Sequence, residues 1–560
     1  MDPRRPLRER LLREACVALF FLGLAAVASR PLILEAGRSM FVGPDPVIDL
    51  WTLHWLSGHL LSPAQLFHGD VFHPVRHAVL HSDISLGSVV LAAPLRLLTG
   101  DAVPLYNAAL LLALAFGGWA FCALVRELTG RLDAGLLAGT LAAFGSHQLF
   151  HVYHLNLLSI GWLALLLLAL HRLLERPGPG AIALAGVSFA LSAQSSGYYA
   201  VGAALLAAGF GAWHARALLA ARPLRAALAA AALGALLTLP YLLAFLDVRE
   251  EQGLRRPPGM SRRMAFQPGR DLSSHGYLYG AVLGREGERL FPGLLPLGLA
   301  GLALARRARH AGFYAAAVAG LLLVSLGPDV ELLGRRLPLP YAALFALPPL
   351  DAMRHPYTFA AIATMLLAVL AGLGWASLAA ARPRVARFAP LLVALALAET
   401  LAPGADLREV PDGLPPAYEL VRKLPPGPLL EIPLNAPDAL LWATRHALPT
   451  VNGDGAFLPG RHAILNHLIN TDWLQGRPAT IDDTRPTWML QGEILARWII
   501  VPCGRRPGLL PLCDAFDRSA SVRFVAAASD GDRLYEMGGG GGGGGRPPPP
   551  PPPRRRRPRA

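Results

Sequence analysis

Charge is scarce in this chain. Only 16% of its 560 residues are Asp, Glu, Lys or Arg, where a soluble protein carries about a quarter, and that shortage excludes an ordinary soluble globule. Lysine is nearly absent. Lys423 stands alone against 51 arginines, a bias of GC-rich coding rather than of chemistry. Cysteine is limited to Cys16, Cys122, Cys503 and Cys513, and no Cys-x-x-Cys pair occurs, which removes the commonest thiolate metal site. Cys503 and Cys513 lie in a polar C-terminal region, where they form a disulfide if that region is extracytoplasmic or remain two free thiols. There is no P-loop, no dinucleotide-binding glycine pattern, no Gly-x-Ser-x-Gly elbow and no His-Glu-x-x-His. Soluble nucleotide-driven chemistry is therefore unsupported.

What the chain has in quantity is apolar sequence: 53% of residues are hydrophobic and the mean hydropathy is +0.40. Apolar segments occur at 13–34, 104–125, 133–150, 155–172, 180–196, 197–214, 226–246, 290–305, 311–327, 357–380 and 387–403. Many approach the ~20 residues that cross a bilayer. A further segment, 84–99, is short and interrupted by Pro94 and Arg96. If it spans, the arginine clusters near 126–131, 172–176, 216–225, 306–309 and 382–387 all fall outside; if it is interfacial or re-entrant, all fall inside. The positive-inside rule selects the second arrangement. The reading is an α-helical polytopic membrane protein with about eleven transmembrane helices and a basic cytoplasmic N-terminus (1–12). Ala25-Ala-Val-Ala-Ser29 resembles a signal-peptidase site, and cleavage there would leave the sidedness unchanged. The transmembrane domain covers 13–404, with outer loops 36–103, 247–289 and 328–356, and 14 of 17 histidines lie outside or at outer span ends. The net charge of +14 belongs to inner loops and the tail, and does not indicate nucleic-acid binding.

From 405 to 537 the pattern changes. Leu429–Pro433, Trp498–Pro502 and Val522–Ala526 read as short buried strands, and Pro415–Leu424 and Trp488–Arg497 as helices, which predicts a small extracytoplasmic α/β domain. The last stretch, 538–560, holds eight glycines, seven consecutive prolines and four consecutive arginines, a composition that predicts a disordered tail.

The candidate chemistry gathers in the outer loops. Asp45 and Asp49 lie four residues apart directly after the first hydrophobic segment, where a carboxylate is expensive to keep. Asp45-Pro46 is a helix start, with an acidic cap and proline at the first helical position, so capping accounts for Asp45 as well as catalysis does. The helix is predicted to run to about Leu61, and Asp49 complements its dipole. His68, His73, His77 and His81 follow. A metal face over 73, 77 and 81 needs a helix that Pro74 can only begin, so solvated interfacial histidines are the favoured reading and no metal ligands are assigned. His147, His151 and His154 sit where one span ends and the next begins. Tyr198 and Tyr199 occupy a tight outer turn suited to an interfacial belt. Arg354-His355 precedes a span, and an arginine fork suits phosphate oxygens. Arg262, Arg263 and Arg270, with Tyr277 and Tyr279, form a second basic patch.

Several stretches together carry a resemblance: Gly43-Pro-Asp-Pro, Asp49-Leu-Trp-Thr-Leu-His-Trp55, Phe72-His-Pro74, Asp83-Ile-Ser-Leu-Gly87, His154-Leu-Asn-Leu-Leu-Ser-Ile-Gly-Trp162, Ser195-Ser-Gly-Tyr-Tyr199, Leu290-Phe-Pro-Gly293, Pro338-Leu-Pro-Tyr341 and Leu347 to Tyr357. Over most of 15–537 the chain resembles bacterial C-type (GT-C) glycosyltransferases of the mannosyl- and arabinosyltransferase kind. It departs at Gly43-Pro-Asp-Pro, where such proteins read Gly-Asp-Pro. The resemblance implies transfer of a sugar from a polyprenyl-phosphate donor, at the outer face of the cytoplasmic membrane, to an envelope glycan, lipid or protein acceptor. It makes Asp45 the candidate base, Asp49 and Asp83 further candidate catalytic acids, and His54, His73, His154, Tyr198, Tyr199, Arg354 and His355 candidate substrate contacts. No cofactor is assigned, and a divalent metal is compatible with the set. The competing reading is a non-catalytic transporter or assembly factor on the same scaffold. Acids collected at span ends rather than at mid-membrane favour the enzyme.

Overall fold

The structure, a computed structural model, describes residues 7–332, 334–348, 350–402 and 404–538. The tail predicted to be disordered, apart from Gly538, lies outside the described residues, as does the first half of the basic N-terminus.

The chain divides into two compact units: one of residues 1–67 and 79–410, the other of 68–78 and 411–560. The first is helical. Among the described residues, five helices are long and apolar enough to cross a membrane: Leu11–Ala28, Ala102–Thr129, Leu155–Glu175, Ala221–Gln252 and Tyr357–Ala381. Five apolar helices are shorter: Leu86–Leu97, Leu132–Ala143, Pro179–Ala193, Leu294–Ala305 and Ala311–Ser325. A twelve-residue helix such as Leu132–Ala143 reaches only about 18 Å, against roughly 30 Å of hydrocarbon. The five long apolar helices identify a multi-pass membrane protein.

Two helices organise this unit. Ala102–Thr129 packs against Leu7–Ala28, Leu132–Ala143 and Gly161–Glu175, and Tyr357–Ala381 packs against Leu294–Ala305, Ala311–Ser325 and Leu132–Ala143. Lipid gives no hydrophobic reason for helices to meet, so close packing over small residues must do it. Phe21, fully buried, lodges against Gly118 and Gly139. Its Cζ lies 2.6 Å from where a Cβ on Gly139 would sit, so any side chain there pushes the helices apart. A short antiparallel ladder, Ser39–Phe41 against Leu407–Glu409, pins the chain after the first helix. Buried Asn107 locks the same turn by donating to the carbonyls of Ala36 (2.8 Å) and Ser39 (2.7 Å). The helix Asp45–His59 begins four residues later.

The second unit has a four-stranded mixed sheet in the order Leu429–Glu431, Trp498–Val501, Arg533–Met537, Val522–Ala527; the first pair is parallel and the others antiparallel. Helices and turns from 439 to 494 connect the parallel pair. Its core includes Leu430, Ile499, Val501, Trp473, Phe516 and Tyr535, and a disulfide joins Cys503 to Cys513. The excursion 68–78 adds backbone bonds at the sheet's margin: Phe72 N–H donates to Asn452 O (3.1 Å), His73 N–H to Thr450 O (2.9 Å) and Thr450 N–H to Asp70 O (2.6 Å).

Candidate functional site

Five of the stretches singled out in the sequence meet in the first unit. The helix Asp45–His59 buries Asp49, whose Oδ2 accepts the N–H of Leu155 at 2.8 Å. Burial pushes the Asp49 carboxyl up to about 8, against the lowering effect of that bond. Asp83 accepts from Asn156 Nδ2 (2.7 Å), Ser196 Oγ (3.1 Å) and the N–H of Gly197 (3.3 Å). Burial raises its pKa, opposed by these bonds and by the positive charge of Arg354. Around them, Gly87 N–H donates to Ser195 Oγ (2.9 Å), Trp162 Nε1–H to Gly87 O (3.1 Å) and Tyr199 OH to Leu157 O (2.6 Å). The result is a buried polar hub in which both acids are held by donors, as burial requires.

Tyr198 serves this hub differently from an interfacial belt residue. Its hydroxyl oxygen accepts the N–H groups of both Arg354 and His355 at 2.8 Å, and its ring stacks on His355 with the planes 15° apart. That contact fixes the backbone of the Arg354-His355 turn. Both side chains are half-buried. Burial, then Arg354 and Arg256, hold His355 down at about 3, so it is neutral at physiological pH.

Asp45 differs from the other two acids. The cap position predicted for it is taken by Pro44, and Asp45 is instead the first residue inside the helix, with Pro46 second. It remains 55% exposed, 3.9 Å from His154 Nε2. Burial lowers the pKa of His154, opposed by Asp45 and Glu288. The imidazole and the carboxyl group thus face each other across a gap longer than a direct hydrogen bond. The polar array continues from His154 to His151, whose rings are 5.3 Å apart. His151 Nε2 lies 3.1 Å from Glu288 Oε2, and His147 Nδ1 lies 2.8 Å from the Glu288 carbonyl.

Three sequence candidates have other work. His54 lies nine residues, about 13.5 Å, along the helix from Asp45. Arg96 Nη1 donates to its carbonyl at 2.9 Å, and burial followed by Arg96 holds its imidazole down at about 4. Tyr199 is fully buried as a helix-to-helix strut. His73 belongs to the second unit, where its carbonyl lies 3.1 Å from His462 Nε2. In the second basic patch, Arg262 is paired with Asp329 and Arg270 with Asp271. These arginines line a cavity of about 640 Å³, but their charge is already matched by carboxylates.

Sequence reading missed Glu288 and Asn156. Glu288 sits in Arg285-Glu-Gly-Glu-Arg289, a charge run that reads as a solvated surface. Asn156 lay within a quoted stretch, but nothing local marks an asparagine as the partner of a distant acid. Glu288 is also where a metal would be held: it forms with His147 and His151 a group whose ligand atoms all lie within 4.8 Å of one another.

Against known proteins, no family model matches the chain, and no curated protein matches it. Solved structures do. A mycobacterial arabinofuranosyltransferase, AftD, determined by cryo-electron microscopy, superimposes with a TM-score of 0.50 at 17% identity, over 96% of this chain and 42% of that one. The oligosaccharyltransferase AglB of Archaeoglobus fulgidus, in complex with an inhibitory peptide and a dolichol-phosphate, gives 0.41 at 13% identity, over 92% and 74% of the two chains. An Archaeoglobus fulgidus oligosaccharyltransferase in its apo form gives 0.44 at 12% identity, over 91% and 73%. The chain thus spans less than half the length of the arabinofuranosyltransferase it matches, and shares with it the fold of GT-C glycosyltransferases.

Proposed function

We propose that this protein is a membrane glycosyltransferase that moves a sugar from a polyprenyl-phosphate donor to an envelope or lipid-linked acceptor at the outer face of the cytoplasmic membrane, with Asp45 as the base. The observation that carries this reading is the division of labour among three acids on a GT-C fold. Asp49 is sealed and proton-holding, Asp83 is saturated with donors, and Asp45 alone keeps an open carboxylate beside an imidazole.

In this scheme Asp45 takes the proton of the acceptor hydroxyl as that oxygen bonds to the anomeric carbon. The bond from that carbon to the lipid phosphate oxygen breaks, and the phosphate leaves with the electron pair, inverting the centre. His154, 3.9 Å away, orients the Asp45 carboxylate. Arg354, whose backbone N–H is held by the Tyr198 hydroxyl, meets the phosphate with its guanidinium fork in this reading. The arginine-rich loops put this region outside the membrane under the positive-inside rule.

The test is sugar transfer by the purified full-length protein in nanodiscs with a panel of polyprenyl-phosphate sugars. Asp45→Asn is expected to lower the rate by about 10²-fold or more, the usual contribution of a general base, with little change in donor binding. Undiminished transfer by Asp45→Asn removes the base assignment. No transfer by the wild type across the panel removes the enzyme reading and leaves the non-catalytic transporter or assembly factor.

A further inference from the structure

The group formed by His147, His151 and Glu288 is not used by the proposed transfer chemistry. His147 and His151 sit one helical turn apart, on Ser146–Phe150 and the residue that follows it, a spacing that puts both imidazoles on one side. Glu288 arrives from a different part of the chain, between the turn at Pro268–Asp271 and the helix Leu294–Ala305. Both histidines are more than nine-tenths buried.

The hydrogen bonds sort the ring nitrogens. With Nδ1–H of His147 donating to the Glu288 carbonyl at 2.8 Å, its Nε2 keeps a free lone pair, the arrangement by which a second partner orients a metal-binding imidazole. His151 holds Nε2 at 3.1 Å from Glu288 Oε2, while its Nδ1 is buried without a hydrogen-bond partner. The potential ligand atoms are within 4.8 Å of one another. Ligands on a tetrahedral ion with bonds of about 2 Å are separated by roughly 3.3 Å, a contraction that side-chain rotation can supply. Nearby Arg289 lies over the Phe150 ring at 3.4 Å and donates to the Arg285 carbonyl.

We propose that His147, His151 and Glu288 bind one divalent transition-metal ion, which clamps the segment around Glu288 onto the turn 146–151. Two imidazoles and one carboxylate select zinc or cobalt over magnesium and calcium, which demand oxygen-rich shells. The clamp is independent of the transfer reaction: it requires no sugar donor and no action by Asp45.

The test uses the full-length protein in detergent, stripped with chelator and then titrated with zinc and with cobalt. Metal content, the cobalt visible spectrum and the thermal midpoint are recorded without any sugar substrate. The wild type is expected to bind one zinc per chain, to show the visible bands of histidine-ligated cobalt, and to melt at a higher temperature with metal than without. Glu288→Gln, His147→Ala and His151→Ala should each weaken binding by about tenfold or more and lose the thermal gain, while His467→Ala, at an exposed histidine of the second unit, keeps both. Wild-type protein that takes up no stoichiometric zinc and shows no cobalt bands overturns the proposal, whatever the variants do. Uptake that survives all three substitutions overturns the ligand assignment, and uptake without a thermal gain overturns the clamp.

Discussion

Asp49 shows how one residue links the site to stability. Its carboxyl titrates near 8 in the folded chain because it is buried, against about 3.9 for an unfolded Asp. Between those values the unfolded chain has lost the proton that the folded chain keeps, so folding binds more protons and stability falls as pH rises. The contribution is fully present below about pH 4 and is lost by the time the pH passes 8. Asp49→Asn keeps an oxygen for the Leu155 N–H without the charge. Its thermal midpoint should match wild type near pH 4 and exceed it by a growing margin up to pH 8, read by differential scanning fluorimetry. A constant offset across that range would mean that Asp49 is ionised in place. The oddness of two acids after a hydrophobic run was legible in the sequence, but their ranking was not, because it depends on a backbone donor at Leu155, far along the chain. Tyr198 likewise read as a belt tyrosine until its hydroxyl met the Arg354-His355 backbone.

At the scale of elements, the placement of Asp45 rests on how the helix Asp45–His59 is anchored upstream. Asn107 supplies two of those anchors from inside Ala102–Thr129. Asn107→Ala leaves two carbonyls unpaired in the interior, at a cost of about 1–3 kcal/mol each if no water replaces the amide. The expected result is a clear drop in thermal midpoint, accompanied by a loss of transfer larger than a matched destabilising change elsewhere produces. An unchanged midpoint would show that the turn is held by its strand ladder alone. Hydropathy located the long helices because bilayer thickness imposes their length. It said nothing of Ser39–Phe41 and Leu407–Glu409, which are three residues each and too short for a period-two pattern to emerge. The strand Arg533–Met537 escaped for a related reason, since its two buried residues, Leu534 and Tyr535, are adjacent and show no period-two alternation.

For the molecule as a whole, sidedness is the property on which the proposed chemistry depends. The Cys503–Cys513 bridge belongs in an oxidising compartment. Expressed in a bacterium, the chain should yield a peptide pair linked through those cysteines in non-reducing mass spectrometry of membranes. Replacing the segment before Ala102 with one fewer crossing should leave both thiols free. Recovery of free thiols from the unaltered protein would place that region in the cytoplasm and invert the topology. The balance of arginines carries this orientation as an expectation; the two-part composition of the second unit was not legible, because nothing local in residues 68–78 announces a partner near 450. That excursion makes the unit a split protein. A fragment starting at residue 411 would expose the backbone around Thr450 and Asn452 and should be poorly soluble, whereas co-expression with a 68–78 peptide should restore it in trans. The membrane portion and the sheet are thus not independent modules joined by one linker, and recombination that exchanges the C-terminal region alone would leave its former edge behind in the first loop.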